Sequence, residues 1–293
     1  MEIHEELIRD LEKRSAPYIV RINGALSEIM KDHNTSNFFE PLSYATDGGK
    51  RIRPLLLMLS AESVGPRDNS DKKTELASVG IELLHTESII HDDIIDEQTA
   101  RRDRVAFHIK YGYSTAILTA DFVFGIILEI AAVCNDARVS KELSLAALTM
   151  CEGELREVRL GQDIKKLTWQ NYITVVTEKT AALFRTATKL GSIIGGGTDE
   201  EIQALSNYGI NLGIAYQIQD DILDWGEDEE LTKTSMKTTN AKDDGVNDVN
   251  ISKLKEMADV YSKKAKGELQ KIRTSPARDF LYYLADFTVL RDY

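Results

Sequence analysis

Apolar residues recur at three- and four-residue spacing along most of the chain, the spacing that places them on one face of an α-helix. This pattern predicts helices over residues 5–30, 52–64, 76–95, 116–133, 143–158, 172–194, 202–224 and 254–272. A further helix is predicted from Ser275 to Leu290, because serine is a good N-cap and Pro276 fits the first helical turn. No segment alternates convincingly between apolar and polar residues, so we expect an all-α bundle of about ten helices in a single domain over residues 1–293.

Proline and glycine positions agree with a helical chain. No proline occurs between Pro66 and Pro276, and the intervening residues are rich in good helix formers. A capping box at Thr198 to Glu201 follows a triple glycine and predicts the start of one helix. Residues 226–250 are polar and poor in apolar side chains, which predicts a mobile loop.

Composition narrows the class of protein. The net charge of −12 disfavours nucleic acid as a partner, because such binding needs a concentrated basic surface. Two cysteines are too few for a disulfide framework and no leader peptide opens the chain, so we expect a cytoplasmic protein. The most apolar stretch, residues 116–133, contains Asp121 and Glu129, and we interpret it as a buried core helix without any transmembrane segment.

An acidic pentad occurs twice inside apolar helical sequence, first as Asp92-Asp93-Ile94-Ile95-Asp96 and again as Asp220-Asp221-Ile222-Leu223-Asp224. Residues four apart share one face of a helix, so the first and last aspartates of each pentad lie side by side. Such like charges repel unless cations lie between them. Since Mg²⁺ is usually held by a few carboxylates and by substrate phosphates, the pentads predict two walls of a site that binds a diphosphate through several Mg²⁺ ions.

Other polar features are ambiguous one by one. Lys50, Arg51 and Arg53, like the arginines at 101, 102 and 104, are as readily interpreted as solvated surface charge. His85 and His91 are compatible with ordinary interior or surface histidines. Two pentads, each preceded by an apolar helix and accompanied by basic residues, are much harder to attribute to chance.

In combination these motifs resemble the trans-isoprenyl diphosphate synthases, the head-to-tail chain-elongating prenyltransferases, over nearly the whole chain. The matching segments are, in order, 48–54 (Gly-Gly-Lys-Arg-Ile-Arg-Pro), 84–86, 91–97, 101–102, 118–122, 161–162, 178–184, 213–224 and 277–292. The resemblance implies a helical bundle around a central prenyl-binding cavity and a homodimer packed through helices such as 116–133.

The resemblance also implies roles for individual residues. Three Mg²⁺ ions would be bound by Asp92, Asp96 and Asp220. Donors to the metal-bound allylic diphosphate would be Arg101, Lys179, Thr180, Gln217 and Lys233. Isopentenyl diphosphate, the second substrate, would be held by Lys50, Arg53, His85 and Arg102, since arginine matches phosphate oxygens in pairs.

The implied reaction is ionisation of the allylic diphosphate, attack by the isopentenyl double bond on the cation, and loss of a proton. The departing pyrophosphate can take that proton, so no side-chain base is needed. The cation must be shielded from water, and the oxygen dipoles of Thr180 and Gln217 are suited to stabilise it.

Two stretches depart from the family pattern. After Arg101-Arg102 the chain continues Asp103-Arg104 where the family has Gly-x-Pro-Thr. After the second pentad, one lid lysine is kept at Lys233, a second has only Lys237 and Lys242 as candidates, and a helical segment is missing.

Product length in this family depends on side-chain bulk just before the first pentad, where Glu87 and Ser88 stand here. Neither is aromatic, so a product of C20 or longer is expected. Two alternatives remain open. One is a class I terpene cyclase, which shares the first pentad but usually lacks the second. The other is a partner or regulatory subunit of a heteromeric prenyl synthase, suggested by the altered lid.

Overall fold

A computed structural model describes residues 2–65, 71–101, 104–162, 168–227 and 251–291. Within these ranges the chain is almost entirely helical, and the predicted all-α fold is confirmed. The long helices are α1 (Glu2–Asp32), α3 (Ile52–Val64), α4 (Asp71–Ile95), α6 (Tyr113–Cys134), α7 (Ala137–Gly161), α9 (Ala182–Ile194), α10 (Asp199–Glu227), α11 (Ile251–Glu268) and α12 (Pro276–Leu290). Shorter elements are α2 (Phe39–Thr46), α5 (Phe107–Tyr111), α8 (Trp169–Val175) and a 3₁₀ turn at Leu269–Lys271.

Helix α3 lies at the centre of the bundle. Five consecutive residues from Leu55 to Leu59 are completely buried, because α3 is enclosed by α4, α9 and α12. A helix that is apolar all round must be surrounded in this way. The basic cluster at 50–53 lies at its N-terminal end, where Lys50 is exposed, Arg51 is buried and Arg53 is half-buried.

Both predicted helix starts are confirmed in detail. The backbone N–H of Glu201 donates to the Thr198 hydroxyl, and the Glu201 carboxylate accepts from the Thr198 N–H, which is a capping box. The Ser275 hydroxyl accepts from the backbone N–H of Arg278, with proline in the first turn of α12.

Sequence periodicity missed the short elements. Helices α2 and α5 are too short to show a clear period. A small antiparallel ribbon, β1 (Ala100–Arg101) and β2 (Arg104–Val105), was also not expected. It follows α4 directly and turns Arg101 back towards the first pentad. Helix α10 extends to Glu227, and the rest of the predicted loop at 226–250 lies outside the described residues.

The predicted helix 172–194 is interrupted. Residues Val176–Ala181 form a π-helical stretch between α8 and α9, which shifts the side chains there by a fraction of a turn. Helix α7 crosses this stretch at Gly153, where a Cβ atom would lie 2.5 Å from the backbone nitrogen of Lys179. Glycine therefore permits the close approach that brings α7 carboxylates to Lys179.

Helix α6 is less buried than the sequence predicts. One face packs into the core through residues such as Val123 and Ile127, while Ile117, Leu118 and Leu128 are exposed on the other face. In the described part of the chain, α6 is also the helix whose length and apolar composition match a membrane span, a property shared with core helices of soluble proteins.

Candidate active site

Two adjoining cavities occupy the centre of the bundle. The larger has a volume of about 940 Å³ and the smaller about 430 Å³. Both are lined by Arg53, His85, Tyr216, Asp220 and Asp224. The cavities therefore meet along a shared wall formed by α3, α4 and α10, the helices that carry the predicted motifs.

The first pentad lies at the C-terminal end of α4. Asp92 and Asp96 face the larger cavity, whereas Asp93 faces away from it and accepts a 2.6 Å hydrogen bond from Arg101 Nε. Burial raises the pKa of Asp92 to about 7, since desolvation and the nearby Glu154 outweigh the attraction of Lys179. Burial also raises the pKa of Asp96.

Lys179, in the π-helical stretch, is surrounded by carboxylates. Its Nζ lies 2.5 Å from Glu154 Oε2, 2.6 Å from Glu157 Oε2 and 3.8 Å from Asp92 Oδ1. Burial alone would lower the pKa of the lysine, but the three carboxylates together raise it above its ordinary value. The side chain is thus a fixed cation on the wall of the larger cavity.

Sequence reasoning gave no role to Glu154 and Glu157. They lie three residues apart on α7, on the face of the helix that meets Lys179. The only available signal was this spacing, and many solvent-exposed helices share it.

The second pentad lies near the C-terminal end of α10. Asp220 faces both cavities and its Oδ1 lies 2.5 Å from Arg291 Nη2. Burial raises the pKa of Asp220, although Arg291 opposes that shift. The Arg291 guanidinium is 3.9 Å from the Tyr216 ring centre and donates to the Tyr216 carbonyl at 3.0 Å. A residue at the end of the chain thus orients the aspartate, which sequence reasoning did not predict.

Asp221 points away from the cavities into the protein. It accepts hydrogen bonds from the Tyr172 hydroxyl at 2.5 Å and from Gln217 Nε2 at 3.0 Å. The other end of the Gln217 amide, Oε1, accepts from the Thr180 hydroxyl at 2.9 Å. Burial raises the pKa of Asp221 to about 7 in spite of these donors.

The smaller cavity is lined by basic groups. Lys50, Arg53 and His85 all contribute, and Arg53 Nη1 lies 2.8 Å from His85 Nε2. Arg53 also stacks over the Phe184 ring at 4.8 Å. Arg51 behaves differently from its neighbours, because it is buried in an ion pair with Glu82. Of the basic cluster at 50–53, only part is available to a ligand.

Comparison with known proteins agrees with this arrangement. The family model described as polyprenyl synthetase matches residues 35–243. This chain belongs to the polyprenyl synthetase family. It is thus a trans-isoprenyl diphosphate synthase, a prenyltransferase of the chain-elongating kind.

Similar proteins support the assignment. Geranylgeranyl diphosphate synthase from Methanosarcina mazei is 30% identical, with 98% of each chain covered. Octaprenyl diphosphate synthase from Escherichia coli is 31% identical, over 76% of this chain and 68% of its own. The crystal structure of geranylgeranyl pyrophosphate synthetase from Pyrococcus horikoshii has a TM-score of 0.85 and 29% identity, covering 98% of this chain and 99% of that one.

In this prenyltransferase the residues expected to govern product length line the larger cavity. Both Glu87 and Ser88 lie on its wall, and α7 contributes Met150 and Cys151 to the same cavity. Burial, with a smaller contribution from Asp121, raises the pKa of Glu87 to about 7. A partly protonated carboxyl is less costly to bury than a charged one.

The carboxylates of the synthase fit a metal site that substrate completes. Among the described residues, no three His, Cys, Asp or Glu side chains are arranged to hold an ion by themselves. Asp92, Asp96 and Asp220 nevertheless line one cavity as hard oxygen donors. Mg²⁺ commonly binds one or two carboxylates and takes its other ligands from substrate phosphates and water.

Most of the predicted site residues are brought together. Those on one or both cavities are Lys50, Arg53, His85, Glu87, Ser88, Asp92, Asp96, Arg101, Lys179, Thr180, Gln217 and Asp220. Arg102, Lys233 and the candidate lysines at 237 and 242 lie outside the described residues, so their roles remain predictions.

Proposed function

We propose that this enzyme condenses isopentenyl diphosphate with an allylic diphosphate to give a trans-polyprenyl diphosphate of C20 or longer. The observation that carries this proposal is the pair of adjoining cavities with different chemistry. Asp92, Asp96, Arg101 and Lys179 line the larger cavity and not the smaller one, and Lys50 lines the smaller cavity and not the larger one. Arg53 and His85 lie on both. Two diphosphates, one bound with metal and one without, match these two environments.

The allylic diphosphate is assigned to the larger cavity. Arg101, Lys179 and Gln217 lie on its wall as donors, with the pentads on either side.

 The reaction is proposed to depend on Mg²⁺, with three ions held by Asp92, Asp96 and Asp220. The carboxylate oxygens that line this cavity and the family of the chain support this metal.

When bound, the metal ions would supply Lewis-acid stabilisation of the leaving diphosphate. The protein's own groups then have three tasks. Arg101 and Lys179 hold the diphosphate, and the bundle excludes water from the cation. Thr180 and Gln217, which line the same cavity, supply oxygen dipoles to stabilise the developing positive charge. Lys50, Arg53 and His85 hold isopentenyl diphosphate beside that position, with Arg102 as a further predicted donor. Lys233 is a further predicted donor to the allylic diphosphate.

Product length follows from the depth of the larger cavity. Neither Glu87 nor Ser88 is bulky enough to block it in the way an aromatic side chain would, and both line its wall. The relatives named as geranylgeranyl and octaprenyl synthases support a product of C20 or longer. Glu87 and Ser88 are therefore proposed as chain-length residues.

The test is incubation of the purified protein alone with isopentenyl diphosphate, Mg²⁺ and each allylic primer in turn, followed by chromatography of the products. Longer prenyl diphosphates are expected, and Asp92→Ala should nearly abolish them. Cyclic hydrocarbons made without isopentenyl diphosphate would instead indicate a terpene cyclase. Full activity of Asp92→Ala would overturn the assigned metal role.

A protein that is silent alone and active only with a second chain would be a partner subunit of a heteromeric synthase. The lid that suggested this alternative was predicted at 226–250, and from residue 228 onwards it lies outside the described residues. The alignment to the Methanosarcina mazei relative spans 328 positions, more than the 293 residues of this chain, so that relative has residues that this chain lacks. A shortened lid is proposed as their location.

A homodimer is proposed through the exposed apolar face of α6. Ile117, Leu118, Leu128 and Val133 are each more than half exposed there, and Leu148 on the neighbouring α7 extends the same kind of surface. Apolar patches of this extent commonly mark protein interfaces. Light scattering of the purified protein tests the dimer, and Leu128→Glu should shift it to monomer.

A cytoplasmic location is also proposed for this enzyme.

A further inference from the structure

The two pentads share a feature that metal binding does not explain. In each pentad the second aspartate faces away from the cavities and is buried, with Asp93 2% exposed and Asp221 4% exposed. Burying a carboxylate is unfavourable unless hydrogen bonds compensate for the lost water. Each of these two accepts such a bond from a side chain that lines the larger cavity, namely Arg101 or Gln217.

We propose that Asp93 and Asp221 are positioning residues, Asp93 for Arg101 at the diphosphate end of the cavity and Asp221 for Gln217 at the cation end. The inference rests on the proposed function, which gives Arg101 and Gln217 their roles. It adds a division of roles within each pentad: Asp92, Asp96 and Asp220 bind the metal ions, and the second aspartate of each pentad positions a neighbouring side chain of the site.

At the first pentad the bond selects one orientation of the guanidinium. Arg101 Nε, on strand β1 of the ribbon, donates to Asp93 Oδ1, on helix α4, at 2.6 Å. Using Nε leaves the two terminal nitrogens for a bidentate contact with phosphate. Arg101 itself is partly exposed, so without Asp93 its long side chain would be free to adopt several rotamers.

At the second pentad the bond selects one orientation of an amide. Gln217 Nε2 donates to Asp221 Oδ1, so the NH₂ end of the amide faces Asp221. Oε1 is then directed to Thr180, whose hydroxyl donates to it. Both Thr180 and Gln217 line the cavity, and the resulting oxygen dipole is suited to a developing cation.

These two tasks predict opposite kinetic signatures. Asp93→Asn weakens the hold on Arg101, so the KM for the allylic substrate should rise about tenfold while kcat stays within about threefold. Asp221→Asn introduces a donor beside Gln217, so the Gln217 amide no longer prefers the orientation in which Nε2 faces residue 221. Because the cation exists only near the transition state, kcat should fall at least about tenfold with both KM values within about threefold.

Three variants serve as controls. Arg101→Gln should raise the allylic KM at least as much as Asp93→Asn. Tyr172→Phe removes the other donor to Asp221 but keeps Gln217 in place, so kcat should stay within about threefold of the wild type. Glu142→Gln breaks a buried carboxylate–lysine pair outside the cavities, and should lower the melting temperature without changing either KM.

Steady-state kinetics of these variants test the positioning roles of Asp93 and Asp221, and circular dichroism confirms that each variant is folded. If Arg101→Gln raises the allylic KM and Asp93→Asn does not, the positioning role is wrong while the proposed function stands. If Arg101→Gln itself has no effect, the assigned diphosphate contact fails. Equal loss of kcat in Tyr172→Phe and Asp221→Asn would reduce Asp221 to a packing role. Should Asp93→Asn not fold, Asp93→Glu, which keeps the charge, is expected to raise the allylic KM less than Arg101→Gln.

Discussion

Replacing Lys179 by methionine removes an ammonium that lies among three carboxylates of the site. Glu154, Glu157 and Asp92 approach its Nζ at 2.5, 2.6 and 3.8 Å, and the lysine side chain is 22% exposed. Methionine keeps the shape of the side chain but leaves those carboxylates facing one another. Removing one partner of a buried ion pair costs about 3–5 kcal/mol, and the partial exposure here favours the lower end, about 3 kcal/mol.

The assay is thermal unfolding with and without Mg²⁺. A loss of about 3 kcal/mol in a chain of this size lowers the melting temperature by roughly 6–12 °C in the presence of a chelator. Mg²⁺ can then occupy the space between the carboxylates, so it should restore at least about half of the loss in the variant. In the wild type it must compete with the ammonium, and the stabilisation by Mg²⁺ should be smaller.

Lys189→Met is the matched control, since Lys189 pairs with Glu142 at 2.6 Å and is 27% exposed, but lies outside both cavities. It should also be destabilised, with no specific recovery in Mg²⁺ compared with NaCl of equal ionic strength. Equal responses of the two variants to Mg²⁺ would refute the reasoning. So would a Lys179→Met variant as stable as the wild type without metal.

Three further outcomes are expected. Because burial raises the pKa of Asp92 to about 7, protons compete with Mg²⁺ below that pH, and the half-saturating Mg²⁺ concentration should fall about tenfold between roughly pH 6 and 8; initial rates measure this, and a flat dependence would contradict it. Gly191→Ala places a Cβ 2.1 Å from a backbone carbonyl of α3 and should cost at least about 2 kcal/mol in urea unfolding, whereas Gly24→Ala, with nothing within 4 Å, should be neutral or stabilising. Ser88→Phe should shorten the products seen by chromatography, since Ser88 lines the larger cavity; unchanged lengths would remove it from the chain-length wall.

Helical periodicity predicted the long helices well, because a bundle buries one stripe of each helix and that stripe is visible in the sequence. It failed where local structure depends on neighbours. The π-helical stretch at Val176–Ala181 has no sequence period of its own, yet it sets the direction of Lys179 and Thr180. The β1–β2 ribbon is only two residues long on each side, too short for any alternation to be recognised.

Sequence spacing identified the candidate site residues but not their partners. From the sequence alone, Arg51 and Arg53 are indistinguishable members of one basic cluster. Only the fold pairs Arg51 with the buried Glu82 and leaves Arg53 on both cavities. In the same way, the pentads predict a cation site, but nothing local separates the cavity-facing Asp92 from the buried Asp93.

What the sequence determined by itself is the helical class, the two carboxylate faces and the family, since each depends on residues close together in the chain. Tertiary structure decided which charges meet. Glu154 on α7 reaches Lys179 because the two helices touch at Gly153, and Arg291 reaches Asp220 from 71 residues away. Such contacts depend on how helices pack, and helix packing depends on side-chain fit along whole faces of the bundle.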